Sequence, residues 1–477
     1  MIGFLGSYPQ MQSTGLPWLG DMPAHWDVRR NGRLFGPRRE TGFPDLPVLE
    51  VSIRSGVRIR EFDNGGRKQE MSDRSKYQRA VRGDIAYNMM RMWQGAVGIA
   101  PTDGLVSPAY VVARPFADID APYYAYLFRT SAYMREIDVF SRGIVPDRNR
   151  LYWESFKQMP SVYPPLDEQR LIVRFLDWHG TQTAKLVRAK KKVATLLNEQ
   201  KQAIIHRAVT RGLDPNVRLK PSGIPWLGDV PEGWEVLPLK RVTASRCDGP
   251  FGSGLKSSHY TSSGILVIRL QNIGLGAFRM TDPAFISQDH YRSLGNHSVI
   301  CDDVLIASLG DERNPCGRAS VAPAGLGEAM VKADCFRFRL RLDRANPHFV
   351  AAALSATAAA SSAILSAGAT RQRVNLQSTA ERSLALPSVN EQMRLMQHIE
   401  AVNEEFQPLL DSANREIALV QEFRTRLIAD VVTGKLDVRA AAASLPEGTE
   451  VEPIDELGEV DDLDEAAEDA ANEEVAA

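Results

Sequence analysis

The residues with the most specific recognition chemistry in this sequence are arginine, lysine, asparagine and glutamine side chains that share polar stretches with aromatic residues. In the first half of the chain these candidates are Tyr87, Asn88, Arg91, Trp93 and Gln94. In the second half they are Lys256, Ser257, Arg269, Gln271, Asn272, Arg313 and Asn314. Arginine pairs well with guanine, and asparagine or glutamine with adenine, in the major groove of duplex DNA. The composition predicts contacts with double-stranded DNA here, with an ordinary solvated surface as the alternative.

Two short basic triplets stand at corresponding places in the two halves of the chain. They read Arg148-Asn149-Arg150 and Arg371-Gln372-Arg373, and each follows a glycine that ends a helix-like run. Because the two triplets correspond, we add Arg148, Arg150, Arg371 and Arg373 to the predicted DNA contacts.

The elements that must position these side chains occur twice. Residues 14–28 read TGLPWLGDMPAHWDV and residues 222–236 read SGIPWLGDVPEGWEV, without a gap at an offset of 208. Two helix-like runs, Pro122 to Gly143 and Pro347 to Gly368, correspond at an offset of 225. The sequence therefore predicts a globular domain followed by a long helix, used twice. We place the globular domains at 1–165 and 222–387, the helices at 166–221 and 388–440, and a tail at 441–477.

The two predicted helices begin at matching motifs, PPLDEQ from Pro164 and PSVNEQ from Pro387, and carry matching apolar seams. In the second helix the seam is Phe406, Leu410, Ala413, Ile417, Val420, Arg424, Leu427 and Val431. In the first helix it is Thr183, Val187, Lys190, Ala194, Leu197, Lys201, Ile204 and Ala208. Alternating steps of four and three residues are typical of a coiled coil, so we expect the helices to pair. The alternative is that each helix packs on its own globular domain.

Within the globular domains, short apolar runs alternate with turn residues. The strand candidates are 47–53, 84–89, 110–113, 266–270, 303–307 and 336–340. This pattern predicts an α+β fold with a mainly antiparallel sheet. In the last run Arg337 and Arg339 alternate with apolar residues, which predicts one apolar and one cationic face.

The charge is distributed unevenly along the chain. The formal net charge is −2, from 57 basic and 59 acidic residues, but 14 acidic and no basic residues lie between Ser444 and Ala477. The remaining 57 basic and 45 acidic residues give positions 1–443 a net charge of +12. A cationic body is compatible with a nucleic-acid partner. The acidic tail is predicted to be disordered. The run Lys185, Arg188, Lys190, Lys191 and Lys192 is either a solvated helix face or a phosphate-neutralising one.

Motifs for catalysis, metal binding and membrane insertion are missing. The sequence has no Walker A motif, no dinucleotide fingerprint after a strand, no HExxH helix and no Asn-Pro-Pro-aromatic run. The four cysteines form no CxxC pair, and we expect reduced thiols in a cytoplasmic protein. The uncharged stretch 349–369 is interpreted as an alanine-rich helix of a protein without membrane spans. We expect no catalytic residue, no metal and no cofactor of its own. A coiled-coil scaffold and a self-contained DNA methyltransferase or nuclease are the alternatives.

Several motifs together resemble one family. The block Pro-Trp-Leu-Gly-Asp-x-Pro-x-x-Trp stands in both halves, and Asp-Glu-Gln or Asn-Glu-Gln opens both helices. The strings 83–90, GDIAYNMM, and 248–253, DGPFGS, fit as well. Over about residues 8–440 the chain resembles the specificity subunits of type I restriction–modification systems.

The resemblance implies more than the residues do by themselves. Each globular part would be a target recognition domain that reads one half of a split DNA site, and the helices would pair antiparallel as a spacer in a pseudo-twofold arrangement. The chain would be a non-catalytic subunit. It would bind two methylation subunits, which use S-adenosylmethionine, and restriction subunits, which use ATP and magnesium.

Overall fold

The computed structural model describes residues 5–60, 74–143, 149–295, 297–311, 313–365 and 372–446. The chain divides into two compact units, which we call unit 1 (residues 1–192 with 414–477) and unit 2 (residues 193–413). Each unit therefore contains one globular part and one half of each long helix. The predicted contacts Arg148 and Arg371 and the tail from residue 447 onward lie outside the described residues.

Unit 1 contains twelve short strands among the described residues. They are β1 Met11–Ser13, β2 Asp21–Pro23, β3 Asp27–Arg30, β4 Phe35–Arg38, β5 Leu49–Ser52, β6 Gly56–Ile59, β7 Gln78–Ala80, β8 Ile85–Asn88, β9 Val97–Ile99, β10 Gly104–Val106, β11 Tyr110–Pro115 and β12 Pro160–Tyr163. Its helices are α1 Ala121–Phe128, α2 Ser131–Phe140, α3 Trp153–Phe156 and the first part of α4 Leu166–Arg211.

The centre of unit 1 is a four-stranded antiparallel sheet in the order β4-β11-β8-β9. The predicted strand around 84–89 is confirmed as β8, which is buried on both faces. Aromatic rings fill one side of this sheet: the Phe35 ring lies 5.3 Å from that of Tyr124 and 6.0 Å from that of Phe128. Strand β12 pairs with β3, which ties the end of the globular part to the first repeat block.

Unit 2 has the following elements after the end of α4. The strands are β13 Leu219–Pro221, β14 Asp229–Pro231, β15 Glu235–Pro238, β16 Thr243–Cys247, β17 Tyr260–Thr261, β18 Ile265–Ile268, β19 Phe285–Ile286, β20 Ser298–Val299, β21 Val304–Ala307, β22 Leu309–Gly310, β23 Ala319–Val321, β24 Ala329–Val331, β25 Cys335–Leu340, β26 Gln372–Arg373 and β27 Ser383–Leu386. The helices are α5 Gln288–Leu294, α6 Pro347–Ala356, α7 Ala358–Leu365, α8 Leu376–Glu381 and the first part of α9 Val389–Val432.

Unit 2 repeats the central sheet and adds a second one. The repeated sheet is antiparallel, in the order β16-β25-β21-β23, and β15 pairs with β27 as β3 does with β12. The added sheet has five strands in the order β17-β19-β18-β24-β20, and its β18–β24 pair is parallel. The prediction of an α+β fold with mainly antiparallel sheets is confirmed.

The predicted cationic face of β25 is wrong. Arg337 is buried and its Nη1 donates to the Ser245 hydroxyl at 2.7 Å. Arg339 makes two 2.8 Å hydrogen bonds to the Asp303 carboxylate. Both guanidinium groups are thus used inside the unit, because a charge next to a packed sheet is costly without such partners.

The two runs predicted as single helices are each broken near the middle. In the first run, α1 ends at Phe128 and α2 starts at Ser131, with Thr130 as the N-cap whose hydroxyl accepts the Tyr133 N–H. In the second run α6 ends at Ala356 and α7 starts at Ala358. No described helix alone is long and apolar enough to span a membrane, although α6 with residues 358–364, bent by 59°, passes that test as a pair.

The paired long helices confirm the predicted seam. All of the seam residues are buried or partly buried, whereas positions between them, such as Lys191, Asn198 and Gln421, are exposed. In unit 1 Lys190 forms an ion pair with Glu416, at 2.5 Å. A Cβ on Gly180 would lie 4.0 Å from the Arg424 guanidinium, so the helices run antiparallel there. In unit 2, the end of α4 and the start of α9 contribute to one hydrophobic cluster.

The predicted start of the tail needs a correction. Residues Arg439–Ala443 form a short helix, α10, and the Ala442 side chain is fully buried in the core of unit 1. The Asp437 N–H also donates to the Gly6 carbonyl at 2.8 Å. Position 441, where we had placed the start of the tail, is therefore part of the folded unit.

Candidate nucleic-acid interface

Each globular part is joined to its long helix by a buried glutamine. In unit 1, Gln169 Nε2 donates to the Pro164 carbonyl at 2.8 Å, and its Oε1 accepts the Asp120 N–H at 2.9 Å. In unit 2, Gln392 donates to the Pro387 carbonyl at 2.8 Å and accepts the Asn346 N–H at 2.7 Å. Each glutamine thereby links the start of a long helix to the N-cap of α1 or α6, which fixes the globular part to the helix by hydrogen bonds.

The repeat blocks close on the ends of the long helices. Gly434, just beyond α9, has a φ of +78°, and a Cβ there would come within 2.9 Å of Trp26. Gly212, just beyond α4, has a φ of +73° and faces Trp234, at 3.5 Å from such a Cβ. Left-handed glycines are common helix terminators. Trp26 and Trp234, the second tryptophan of each block, therefore pack on helix ends and are structural.

The glutamate of each Glu-Gln motif also lies inside its junction. Glu168 accepts hydrogen bonds from Tyr8 Oη, at 2.6 Å, and lies 2.7 Å from His25 Nε2. Burial and the neighbouring Glu168 raise the pKa of the Tyr8 hydroxyl well above its usual value. In unit 2 the corresponding Glu391 accepts a 3.1 Å hydrogen bond from Trp234 Nε1. These carboxylates have structural partners and serve the junction.

In unit 1 the predicted DNA contacts divide into buried and accessible side chains. Tyr87 is 0% exposed and Asn88 is 2% exposed, so neither side chain is accessible as a contact with DNA requires. Both belong to β8, where the strand pairing of a central sheet buries them. Trp93 is half-buried, and its Nε1 donates to the Met90 carbonyl at 2.9 Å. Gln94 is exposed.

The remaining unit 1 candidates are partly buried. Arg91 and Arg150 both fall in this class, and Arg150 bridges to Arg142 through two backbone hydrogen bonds of 2.9 and 3.0 Å. Contacts to DNA from Arg91, Trp93, Gln94 and Arg150 stay predictions.

In unit 2 the structure brings several candidates to one cleft of about 830 Å³. Strand β22 pairs with β26, which brings Gln372 to the cleft wall. The lining residues are Leu270, Gln271, Ile273, Arg279, Thr281, Leu309, Gly310, Asp311, Asn314, Arg318 and Gln372. Of these, sequence reasoning singled out Gln271 and Asn314, and Gln372 only as the middle of its triplet. It missed Arg279 and Arg318.

The floor of the cleft is fixed by one buried arginine. The Arg318 guanidinium donates to the carbonyls of Ile273, Leu270 and Leu309 at 2.8 to 3.0 Å. Its burial lowers the pKa of the guanidinium from its usual value. Above it, Gln372 Oε1 is buried and has no hydrogen-bond partner among the described residues. An acceptor without a partner in a polar cleft is suited to a donor from a ligand.

The other unit 2 candidates have mixed positions. Asn272 is 3% exposed and donates to the Arg279 and Thr281 carbonyls, so its predicted exposure is wrong. Arg269 is held by Asp282 at 2.8 Å, and Arg373 by Asp334 at 2.7 Å.

Three further candidates are on the surface. Lys256, Ser257 and Arg313 are exposed. They stay predicted contacts, as do Arg269 and Arg373. In the part of the chain that the structure describes, no three His, Cys, Asp or Glu side chains gather as a metal site requires.

The sequence was compared with those of known proteins. No family model matches the chain. It is 26% identical over 152 residues to the type I restriction enzyme MjaVIII specificity subunit of Methanocaldococcus jannaschii, a match that covers 32% of this chain and 33% of that protein. It is 22% identical over 447 residues to the putative type I restriction enzyme MjaX specificity subunit of the same organism, which covers 88% and 96%. The chain is therefore similar in sequence to type I restriction enzyme specificity subunits.

The structural comparison agrees on the fold. A chain from the structural study of complex assembly and conformational transition of the type I R-M system superposes with a TM-score of 0.61 at 14% identity. The superposition covers 87% of this chain and 99% of that one. The two chains therefore share the same fold.

Proposed function

We propose that this chain is a non-catalytic DNA-reading subunit of a type I restriction–modification complex, in which each globular part reads one half of a bipartite site. The observation that supports this most directly is the repeated junction. Gln169 in unit 1 and Gln392 in unit 2 make equivalent hydrogen bonds, and we call each of them a glutamine staple. A four-stranded sheet of the same kind also occurs in both units, whereas the surfaces built on it differ. A junction that is repeated within the chain, with a different surface on each copy, suits two domains that bind different half-sites.

The proposal includes the partners. Two similar junctions in one chain offer two similar docking surfaces, which suits two copies of one methylation subunit. S-adenosylmethionine, ATP and magnesium would then be used by the methylation and restriction subunits, and this chain would need no cofactor of its own.

The test of this function is adenine methylation with and without the chain. The purified chain alone should not methylate DNA, and the methylation subunits alone should show no site preference. Together they should methylate adenines in one split motif, read by mapping modified adenines across a host genome. Methylation by the chain alone, or the same motif in its absence, would refute the proposal and favour a self-contained enzyme.

The unit 2 cleft allows a sharper test within this proposal. Gln271→Ala removes an exposed amide from the cleft rim, and we expect relaxed preference at one base pair of one half-site only. A lost amide–base contact costs about 1–3 kcal/mol, or about 5- to 150-fold in discrimination. Gln377→Ala is the matched control, because Gln377 is an exposed glutamine of α8 in the same unit but outside the cleft. Equal effects of both variants would show that the cleft does not read bases.

A further inference from the structure

Unit 1 has an apolar groove between the two long helices, at the point where the folded chain ends. The groove has a volume of about 750 Å³. Its walls include Phe175, Trp178 and Leu186 of α4 and Val420 and Phe423 of α9. Leu186 is 44% exposed and Phe423 is 51% exposed, which is unusual for large apolar side chains at a helix pair. An open apolar groove of this kind is suited to binding another segment.

The last described residues form one rim of this groove. Ser444 and Leu445 line it, and Arg174 of α4 holds the backbone there. Its Nη2 donates to the Leu445 carbonyl at 2.5 Å and to the Pro446 carbonyl at 3.3 Å. The tail therefore leaves the folded unit at a fixed point beside the groove.

A basic stripe runs along α4 from that same point. Lys185 and Lys192 follow Arg174 by 11 and 18 residues, which are close to three and five turns of a helix. The three side chains thus lie on one face of α4, at about 16 and 27 Å from Arg174 along the axis. Lys185 and Lys192 are both exposed. The groove is therefore bordered by positive charge.

The sequence of the tail has the complementary pattern. Apolar residues recur at every third position at Ile454, Leu457, Val460 and Leu463. Acidic residues separate them, at Asp455, Glu456, Glu459, Asp461 and Asp462. Ile454 is eight residues beyond Pro446, so an extended chain of about 26 Å is available to reach the groove.

We propose that the tail segment 450–465 binds in this groove, with its apolar residues against Phe175, Trp178 and Phe423 and its carboxylates facing Lys185 and Lys192. Docking would cover lysines that otherwise attract DNA phosphates. The tail would then weaken non-specific DNA binding, a consequence that rests on the proposed function, whereas the docking itself does not.

Photo-crosslinking of the full-length chain tests the docking without DNA. A benzophenone amino acid replaces Leu457, and the cross-linked peptides are identified by mass spectrometry. We expect cross-links within one chain to 175–186 and 420–423, and few from the same probe at Val475, outside the apolar pattern. Cross-links mainly elsewhere, or mainly to a second copy of the chain, would overturn the proposal.

A pair of neighbouring lysines provides the control for charge. Lys192→Glu reverses a charge on the stripe and should weaken the docking equilibrium about threefold, the effect of losing a favourable exposed ion pair. The docked fraction, and with it the cross-link yield, should then fall from about nine-tenths to about three-quarters. Lys191→Glu makes the same change one residue away, about 100° around the helix, and should leave the yield unchanged. An equal loss in both variants would contradict docking along this face.

The regulatory consequence is tested by neutralising the tail. The full chain with Asp455, Glu456, Glu459, Asp461 and Asp462 changed to Asn or Gln should bind a duplex without the target site more tightly. The gain is about tenfold if the docked state is populated nine-tenths of the time. Unchanged affinity alongside positive cross-links would refute the competition with DNA. If neither chain binds DNA, the proposed function fails, while the cross-links still decide the docking.

Discussion

Unit 1 covers its central sheet mainly with aromatic rings, whereas the corresponding helix of unit 2 presents mostly small aliphatic side chains around one buried ring, Phe349. The helix α1 supplies Tyr123, Tyr124 and Phe128, all fully buried, and the corresponding α6 supplies Ala351, Ala352 and Ala353. Unit 2 instead adds the five-stranded sheet and the cleft. The comparison shows that the glutamine of the junction and its hydrogen bond to the N-cap are the same in both units, while part of the core packed on the sheet changes from aromatic to aliphatic.

The largest effect is expected when one of the two globular parts is exchanged. Replacing residues 30–160 with the corresponding part of another specificity subunit should change one half of the methylated motif completely and leave the other half intact. The matched control exchanges residues 240–380, which should change only the second half. The outcome of both exchanges is measured by mapping methylated adenines. A change in both halves from either exchange would show that the units do not read independently.

The two helix-ending glycines should differ in their tolerance of a side chain. Gly434→Ala would place a Cβ 2.3 Å from Pro23, whereas at Gly212 the nearest atom, of Trp234, is 3.5 Å away. Positive φ costs about 1–2 kcal/mol at both positions, and overpacking adds about 1–3 kcal/mol only at Gly434. We expect Gly434→Ala to lower the free energy of unfolding by about 3 kcal/mol and Gly212→Ala by about 1 kcal/mol. Denaturant unfolding measures both, and equal losses would contradict the packing difference.

Loss of either glutamine staple should destabilise the fold by a similar amount. Gln169→Ala removes hydrogen bonds to Pro164, Asp118 and Asp120, and Gln392→Ala removes the equivalent three bonds in unit 2. Each substitution leaves buried backbone groups without partners, at a cost of about 2–3 kcal/mol. Thermal unfolding should show similar shifts, and a large difference would mean that only one junction is essential.

The smallest expected effect concerns a carboxylate present in both units. Asp437 binds the Arg439 guanidinium at 2.7 and 2.9 Å, and this ion pair lowers the pKa of its carboxyl. Because the folded pKa lies below the unfolded value, the stabilisation is present above about pH 4 and is lost as the pH falls further. Asp437→Asn should therefore cost about 1 kcal/mol or less at pH 7, and less still near pH 3.

The corresponding carboxylate in unit 2 is the control for that variant. The Asp214 carboxylate accepts the Asn216 N–H at 2.9 Å, and among the described residues no ion pair is found for it, because Asn216 stands where unit 1 has Arg439. Asp214→Asn should thus have the weaker effect at pH 7. Unfolding midpoints of both variants at several pH values make the comparison, and identical pH profiles would argue against the ion pair.

The duplicated architecture could be predicted from the sequence because repeats and helix seams are local patterns. The sequence alone shows the blocks around Trp18 and Trp226, the Glu-Gln helix starts and the apolar seams. The pairing of the two long helices that these patterns predict is confirmed. The sequence does not indicate the helix breaks at Thr130 and Thr357, because a capping threonine inside an apolar run cannot be distinguished from a surface threonine of one continuous helix.

The site was less predictable because exposure depends on the tertiary fold. Asn88 and Asn272 have the residue type of a base contact, yet both use their amides inside the unit. Arg318 and Arg279 joined the cleft only through folding, since residues 270–281, 309–318 and 372 are distant in sequence. No local pattern indicates such a convergence.

The contact between Gly6 and Asp437 has a consequence for how this chain could be rearranged. In unit 2 the end of α4 passes directly into the second repeat block, from Gly212 to Ser222, by peptide bonds. In unit 1 the end of α9 meets the first block through the Asp437–Gly6 hydrogen bond and the Arg439 guanidinium stacked 4.9 Å over Tyr8. The two connections are structurally equivalent, and only one is covalent. A short linker joining these ends and a new break between Gly212 and Ser222 should therefore yield a circularly permuted chain with the same fold.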